Sequence, residues 1–336
     1  MQIEQYSGQT LPKIEQHLHE VVQQSSIKID SSLRDMISYH MGWTGEGAGV
    51  KAQGKRIRPL LLLLVAEAVG GDIEKAMPAA AAVEILHNFS LIHDDIEDNS
   101  PTRRGRETLW KRHGIPLAIN AGDSMFTLAF QALAKLSDHH TPERCLKVYK
   151  LFTQTCLSLT KGQHLDISFE RSANVQVPDY LEMIQGKTAA LLSGSAEIGA
   201  LLGGATPNEQ ETYKDLGNFV GLGFQAHDDL LGIWGDADVT GKSTSSDLLA
   251  RKKTLPVLYG LEQSGRFADM WEEKITEVNA AELALQLKNE GGYDYTKNIA
   301  SEYTQKALNA LETAMPKGYA GEALSELIHS LVQRSF

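Results

Sequence analysis

Cysteine is almost absent: Cys145 and Cys156 are the only two in 336 residues. They cannot build a disulfide framework and show no metal-ligand spacing, so the chain fits a reducing cytoplasm. An excess of positive charge is also lacking. The formal net charge is −11, and a chain without a basic footprint is a poor nucleic-acid binder. No apolar run is long enough to span a bilayer, because the longest, over residues 60–69, is broken by Glu67. The opening MQIEQYSGQTLPKIEQHLHE lacks the basic and apolar segments of a signal peptide. Runs of alternating apolar and polar residues, low-complexity tracts, internal repeats and linker-like stretches are missing as well. With 42% hydrophobic residues the chain can bury a large core, and residues 1–336 read as a single domain.

What is present is helical patterning. Apolar residues recur at helical spacing over 59–69, 76–98, 116–136, 143–170, 178–203, 208–233, 277–289 and 294–314. Breakers separate these segments, among them Gly70-Gly71, Gly203-Gly204 and Gly291-Gly292. Thr141-Pro142 and Thr206-Pro207 each set a Thr at a helix N-cap and a Pro at the next position. The pattern predicts an all-α bundle of roughly ten or more helices around a central cavity.

Two acidic pairs interrupt the apolar faces of these helices. One lies in His93-Asp94-Asp95-Ile96-Glu97-Asp98, the other in Gln225-Ala226-His227-Asp228-Asp229-Leu230-Leu231. Asp94 and Asp98 share a helix face at i,i+4, and Asp95 lies on the adjoining strip. Close carboxylates repel one another unless a cation sits among them. Hard oxygen ligands with positions left for water and phosphate describe a Mg2+–diphosphate site.

Cations flank these acids. Gly54-Lys55-Arg56-Ile57-Arg58-Pro59 sets three of them at a predicted helix start, where free N–H groups also favour an anion. Arg103 and Arg104 follow the first acidic run and suit phosphate through their forked donors. Lys187-Thr188 lies in a weakly charged helical segment that is not a P-loop. A polar stretch after the second acidic pair carries Lys242 and Lys252. Gln163, Asp166 and Glu170 share one helical face, as pocket lining or as an interhelical network. His93 and His227 precede the acidic pairs, to orient them or as satisfied structural histidines.

Taken together, these motifs resemble the trans-isoprenyl diphosphate synthases, the class I prenyl-elongating enzymes. The resemblance implies an isopentenyl diphosphate clamp at Lys55, Arg58, His87 and Arg104, and an allylic-diphosphate arginine at Arg103. It implies Mg2+, three ions in all, on Asp94, Asp95, Asp98, Asp228 and Asp229. Lys187, Thr188 and Gln225 match positions at the ionising allylic end, and Lys242 and Lys252 match lysines that hold the leaving diphosphate. Phe89 and Ser90, just before the first motif, match the chain-length region and point to a geranylgeranyl diphosphate product, with farnesyl diphosphate as the alternative. A class I terpene cyclase and a non-catalytic subunit of a hetero-oligomeric synthase are the other readings. The family also implies a cytoplasmic homodimer with no transmembrane segment. One position departs from the pattern: the second motif has Gly232 where the family usually has Asp, so a somewhat altered second site is expected, and restoring Asp there should be mild.

Overall fold

The computed structural model describes residues 2–23, 30–172, 174–235 and 245–332, and these are overwhelmingly helical. Helices α1 (Gln2–Gln23), α2 (Ser31–His40), the single turn α3 (Val50–Gln53), α4 (Ile57–Ala68) and α5 (Ile73–Glu97) open the chain. A two-residue hairpin, β1 (Thr102–Arg103) and β2 (Arg106–Glu107), precedes α6 (Leu109–His113), α7 (Ile115–Ala134) and α8 (Pro142–Arg171). Then come α9 (Val177–Ile184), α10 (Ala190–Gly203), α11 (Pro207–Trp234), the short α12 (Ser246–Leu249), α13 (Leu255–Glu262), α14 (Arg266–Glu272), α15 (Ala280–Asn289), α16 (Gly292–Ala314) and α17 (Gly318–Val332).

Each expected periodic segment is helical. The one read as continuous over 178–203 is not regular throughout, because a π-helical turn (Gln185–Ala189) separates α9 from α10. The caps form as the sequence dictates. The Thr206 N–H donates to Glu209 Oε2 at 2.7 Å, and the Glu209 N–H reaches back to Thr206 Oγ1 at 3.4 Å, a capping box. Periodicity did not single out α1 or α17.

The chain divides into two compact units. The first comprises residues 1–156, 194–214 and 314–326, the second 157–193, 215–313 and 327–336. The divisions fall inside helices such as α8, α10 and α11, not in linkers.

In the first unit α4 and α5 form the centre. Leu60, Leu61, Leu62, Leu63, Leu64 and Val65 are all buried, so α4 is apolar on every side. Each such leucine contributes roughly 1.5–3 kcal/mol on burial. The alanine run of α5, residues 79–82, is also fully buried and lets neighbouring helices approach closely. In the second unit Tyr180, Met183, Ile184, Leu222, Ala226, Leu255 and Leu258 share one core. A second cluster gathers Ile233, Leu248, Phe267 and Trp271. Gly162 is required where α8 meets the π turn: a Cβ there would lie 2.5 Å from the Gly186 carbonyl carbon.

Candidate active site

In the first unit the acidic run ends α5. Asp94 and Asp95 occupy its last turn and Asp98 is the C-cap. The helix dipole is negative at this end, so carboxylates here are disfavoured twice, by the dipole and by one another. A cation answers both, and the hairpin supplies one. Arg103 donates from Nε to Asp95 Oδ1 at 2.7 Å and from Nη2 to Asp94 Oδ2 at 2.9 Å. Burial pushes the Asp95 carboxyl up to about 6, against the pull of Arg103.

The turn of the hairpin aims its second arginine elsewhere. Arg104 and Gly105 both have positive φ, at 52° and 74°, which fits the tight primed turns of two-residue hairpins. Arg104 Nη1 donates to the carbonyls of Ala52 at 2.9 Å and Gln53 at 2.8 Å. Gly54, at φ 83°, leaves room for that guanidinium, since a Cβ there would sit 2.7 Å from its central carbon.

The cations around the start of α4 have separate roles. Arg56 is buried and donates to Glu15 Oε1 at 2.6 Å and Glu84 Oε1 at 2.7 Å. Burial disfavours its charge, but Glu84 and Glu15 more than offset this and raise its pKa. Arg56 is therefore a core ion pair, and Lys55 and Arg58 are the cations of this motif left to meet an anion. Arg58 Nη1 lies 3.2 Å from His87 Nε2, and Lys55 is exposed. A small cavity has Tyr39, His40, Ala52, Asp95, Arg103 and Arg104 among its lining. His40 has a buried Nε2 with no hydrogen-bond partner.

Phe89 is half-buried and heads a row of aromatic rings. Its centroid lies 5.0 Å from Phe126, which lies 5.2 Å from Phe130, which lies 5.3 Å from Phe152. Ser90 Oγ donates to the His87 carbonyl at 2.8 Å. For His93, the structural reading is the one its surroundings favour. It lies against Phe89 and Gly122, with Nε2 3.7 Å from Asp123.

In the second unit the π turn and α11 share one polar network. Thr188 Oγ1 donates to Gln225 Oε1 at 2.8 Å, and Gln225 Nε2 donates to Asp229 Oδ1 at 3.0 Å. Tyr180 OH and the Leu255 N–H both donate to Asp229 Oδ2, at 2.7 and 3.1 Å. Burial pushes the Asp229 carboxyl up to about 7 against these donors. Asp229, expected as a metal ligand, is a buried carboxylate that accepts three hydrogen bonds in this network. Asp228, one residue earlier, is half-buried. Lys187 pairs with Asp166, which resolves Asp166 as an interhelical partner. Lys252 is exposed, whereas Lys253 Nζ donates to the Phe169 carbonyl at 2.8 Å. Lys242 lies outside the described residues.

The donors suit Mg2+. They are carboxylate oxygens, and at Asp94 and Asp95 a guanidinium already answers the need for positive charge. Among the described residues no three histidine, cysteine or acidic side chains converge in a group that could hold a metal ion. Sequence reasoning missed His40, Phe126 and Tyr180. Only Phe126 left a signal, as an aromatic at helical spacing from Phe130.

Carboxylates beside arginines on an all-helical frame suit an enzyme that handles a diphosphate. Residues 48–287 match the family described as Polyprenyl synthetase, and the chain belongs to it. It is 36% identical over 332 residues to a (2E,6E)-farnesyl diphosphate synthase of Mycobacterium tuberculosis, covering 94% of this chain and 91% of that protein. It is 39% identical to a geranylgeranyl diphosphate synthase of Methanosarcina mazei, covering 78% and 81%. The crystal structure of geranylgeranyl pyrophosphate synthetase from Pyrococcus horikoshii superposes with a TM-score of 0.88 at 32% identity, covering 99% and 98%. The chain is thus an enzyme, a trans-prenyltransferase of the isoprenyl diphosphate synthase class. Enzymes of this family generally use Mg2+. Among the described residues no helix is long and apolar enough to cross a membrane.

Proposed function

We propose that this enzyme condenses an allylic diphosphate with isopentenyl diphosphate and releases geranylgeranyl diphosphate. One observation carries the two-diphosphate reading. The first unit holds further cations at Lys55, Arg58 and Arg104 besides the Arg103 that bridges Asp94 and Asp95. A terpene cyclase has no use for that second anion clamp.

In this reading Asp94 and Asp98 in the first unit and Asp228 in the second would each serve as ligands to Mg2+, three ions in all, which would supply Lewis-acid stabilisation to a departing diphosphate. Arg103, Lys252 and Lys242 add positive charge to that leaving group, and Lys55, Arg58, His87 and Arg104 seat isopentenyl diphosphate. As the allylic C–O bond breaks, the electron pair leaves with the diphosphate. The isopentenyl double bond then forms the new C–C bond, and a proton is lost to the released diphosphate. The Lys187 and Thr188 carbonyls and the Gln225 amide stabilise the allylic cation. Asp229 and Tyr180 fix Gln225 in place. Apolar walls exclude the water that would quench the cation.

The whole chain acts as one catalytic domain and works in the cytoplasm as a homodimer. Apolar side chains left exposed on α7 and α8, Ile115, Leu117, Leu146 and Tyr149, support the pairing. The farnesyl alternative draws on the mycobacterial relative and on the aromatic row that begins at Phe89.

The purified chain with Mg2+, isopentenyl diphosphate and each allylic primer should yield a twenty-carbon alcohol after product hydrolysis. A fifteen-carbon product selects the alternative, and no elongation rejects both. Asp94→Ala and Asp98→Ala should each lower turnover by orders of magnitude while circular dichroism stays helical. A monomer at micromolar concentration in a mass measurement rejects the dimer.

A further inference from the structure

We propose that Arg106 is a positioning residue for isopentenyl diphosphate, pinning the glycine-rich loop that leads into Lys55 and so setting the place of that cation. The inference rests on the two-diphosphate function proposed above. Residues 41–49 form no regular element between α2 and α3. A loop that carries Gly42, Gly45, Gly47 and Gly49 loses much conformational freedom on ordering. Arg106, on β2, reaches into this loop and is buried. Its Nη1 donates to the Tyr39 carbonyl at 2.7 Å, its Nη2 to the Thr44 carbonyl at 2.6 Å and its Nε to the Glu46 carbonyl at 3.0 Å. Its central carbon lies 3.9 Å from the centroid of the Tyr39 ring, and Tyr39 OH donates to the Glu107 carbonyl at 3.0 Å. Each nitrogen of the guanidinium already holds a carbonyl, so Arg106 acts through the loop and not on the substrate.

The hold passes to Lys55 by direct packing. The Gly49 N–H donates to the Gly42 carbonyl at 2.9 Å, which closes the loop on itself. Gly42 in turn lies against α3: a Cβ there would sit 2.7 Å from the Ala52 carbonyl carbon and from the Gln53 nitrogen. Arg104, from the same hairpin, holds the carbonyls of these two residues. Gly54 and Lys55 follow at once. Lys55 carries its ammonium on a long, exposed stem, so this backbone decides where the charge can reach. The hairpin is braced without Arg106. The Thr108 N–H donates to the Pro101 carbonyl at 3.1 Å, Thr108 Oγ1 donates to the Ser100 carbonyl at 2.9 Å, and Arg103 bonds to Asp94 and Asp95. Loss of the Arg106 side chain should therefore loosen the loop and leave Arg103 in place. Nothing in the spacing of residues 54–59 shows this dependence.

The test compares the full-length enzyme with Arg106→Gln and Arg106→Lys, each first shown by circular dichroism to be helical. Initial rates give kcat and both Michaelis constants. Arg106→Gln should raise the KM for isopentenyl diphosphate ~10- to 100-fold, the scale of a misplaced binding group, and leave kcat and the allylic KM within about twofold. Arg106→Lys keeps the charge but loses the fork, and should show most of this rise. Hydrogen exchange reads the loop itself: amides of residues 42–53 should exchange faster in Arg106→Gln, while those of α5 do not change. A folded Arg106→Gln with the wild-type KM for isopentenyl diphosphate overturns the proposal. So does a rise shared equally by both substrates, an unaltered exchange of the loop, or full activity of Arg106→Lys, which would make the charge alone sufficient. Should Arg106→Gln not fold, Arg106→Lys is read by the same criteria. Wild-type product formation tests the proposed function separately: its absence sinks that reading and leaves the loop exchange to judge Arg106.

Discussion

Arg58 Nη1 donates to His87 Nε2 across 3.2 Å. A guanidinium only donates, so the ring nitrogen must accept and His87 is neutral. Burial drives its pKa well below the usual histidine value, and Arg58 and Arg104 push the same way. The imidazole orients the guanidinium and adds no charge of its own. The positive charge of this anion clamp therefore comes from Lys55, Arg58 and Arg104. Lys55→Ala or Arg58→Ala should raise the apparent KM for isopentenyl diphosphate by about 10- to 100-fold, the loss of a charge-assisted contact. Steady-state kinetics at saturating allylic substrate checks this, and a change confined to the allylic KM would contradict the division of the two anion sites.

Arg56 should respond differently from its neighbours. Its side chain is 2% exposed and Glu84 is 3% exposed. Removing one partner of such a pair leaves an uncompensated buried charge, at a cost of about 3–5 kcal/mol. Arg56→Ala should thus lower the midpoint of urea unfolding sharply, and the folded fraction should keep its isopentenyl diphosphate KM. A stable variant with poor substrate affinity would move Arg56 into the binding set.

Stability should fall on acidification, with His40 as one cause. Burial lowers its pKa to about 3, helped by Arg104, Arg103 and Arg56. Below pH ~6.5 the unfolded chain takes up a proton at this residue that the folded chain refuses, so stability present above that pH is lost as pH falls toward 3. The slope is about 1.4 kcal/mol per pH unit for each such proton. His40→Gln should flatten the dependence of unfolding free energy on pH between roughly 6.5 and 4, as denaturant titrations would show. An unchanged slope would mean that His40 is solvated in solution.

Product length should depend on the aromatic row. Phe89→Ala should lengthen the product, and Phe126→Ala, one ring further along, should extend it more when the two are combined. Chromatography of hydrolysed products decides this. If Phe89 serves packing alone, the substitution costs roughly 3–5 kcal/mol and the product length stays the same.

The sequence by itself determined the helical class, because periodicity and breakers act within a few turns. It also determined the chemistry of the first acidic run, since Asp94 and Asp98 are neighbours along one helix and Arg103 follows within a hairpin. Local spacing fixes such relations before any long-range contact forms. Tertiary structure decided what spacing cannot see. Lys55, Arg56 and Arg58 look alike in sequence, yet Glu15 and Glu84 arrive from other helices and remove Arg56 from the anion clamp. Asp228 and Asp229 are adjacent, yet only tertiary contacts bring Tyr180 OH and the Leu255 N–H to Asp229. Gly232 looks open in sequence, yet α12 docks with the Asp247 carboxylate against it. In each case burial and a distant partner assign the role, and both depend on chain segments that meet only in the folded core.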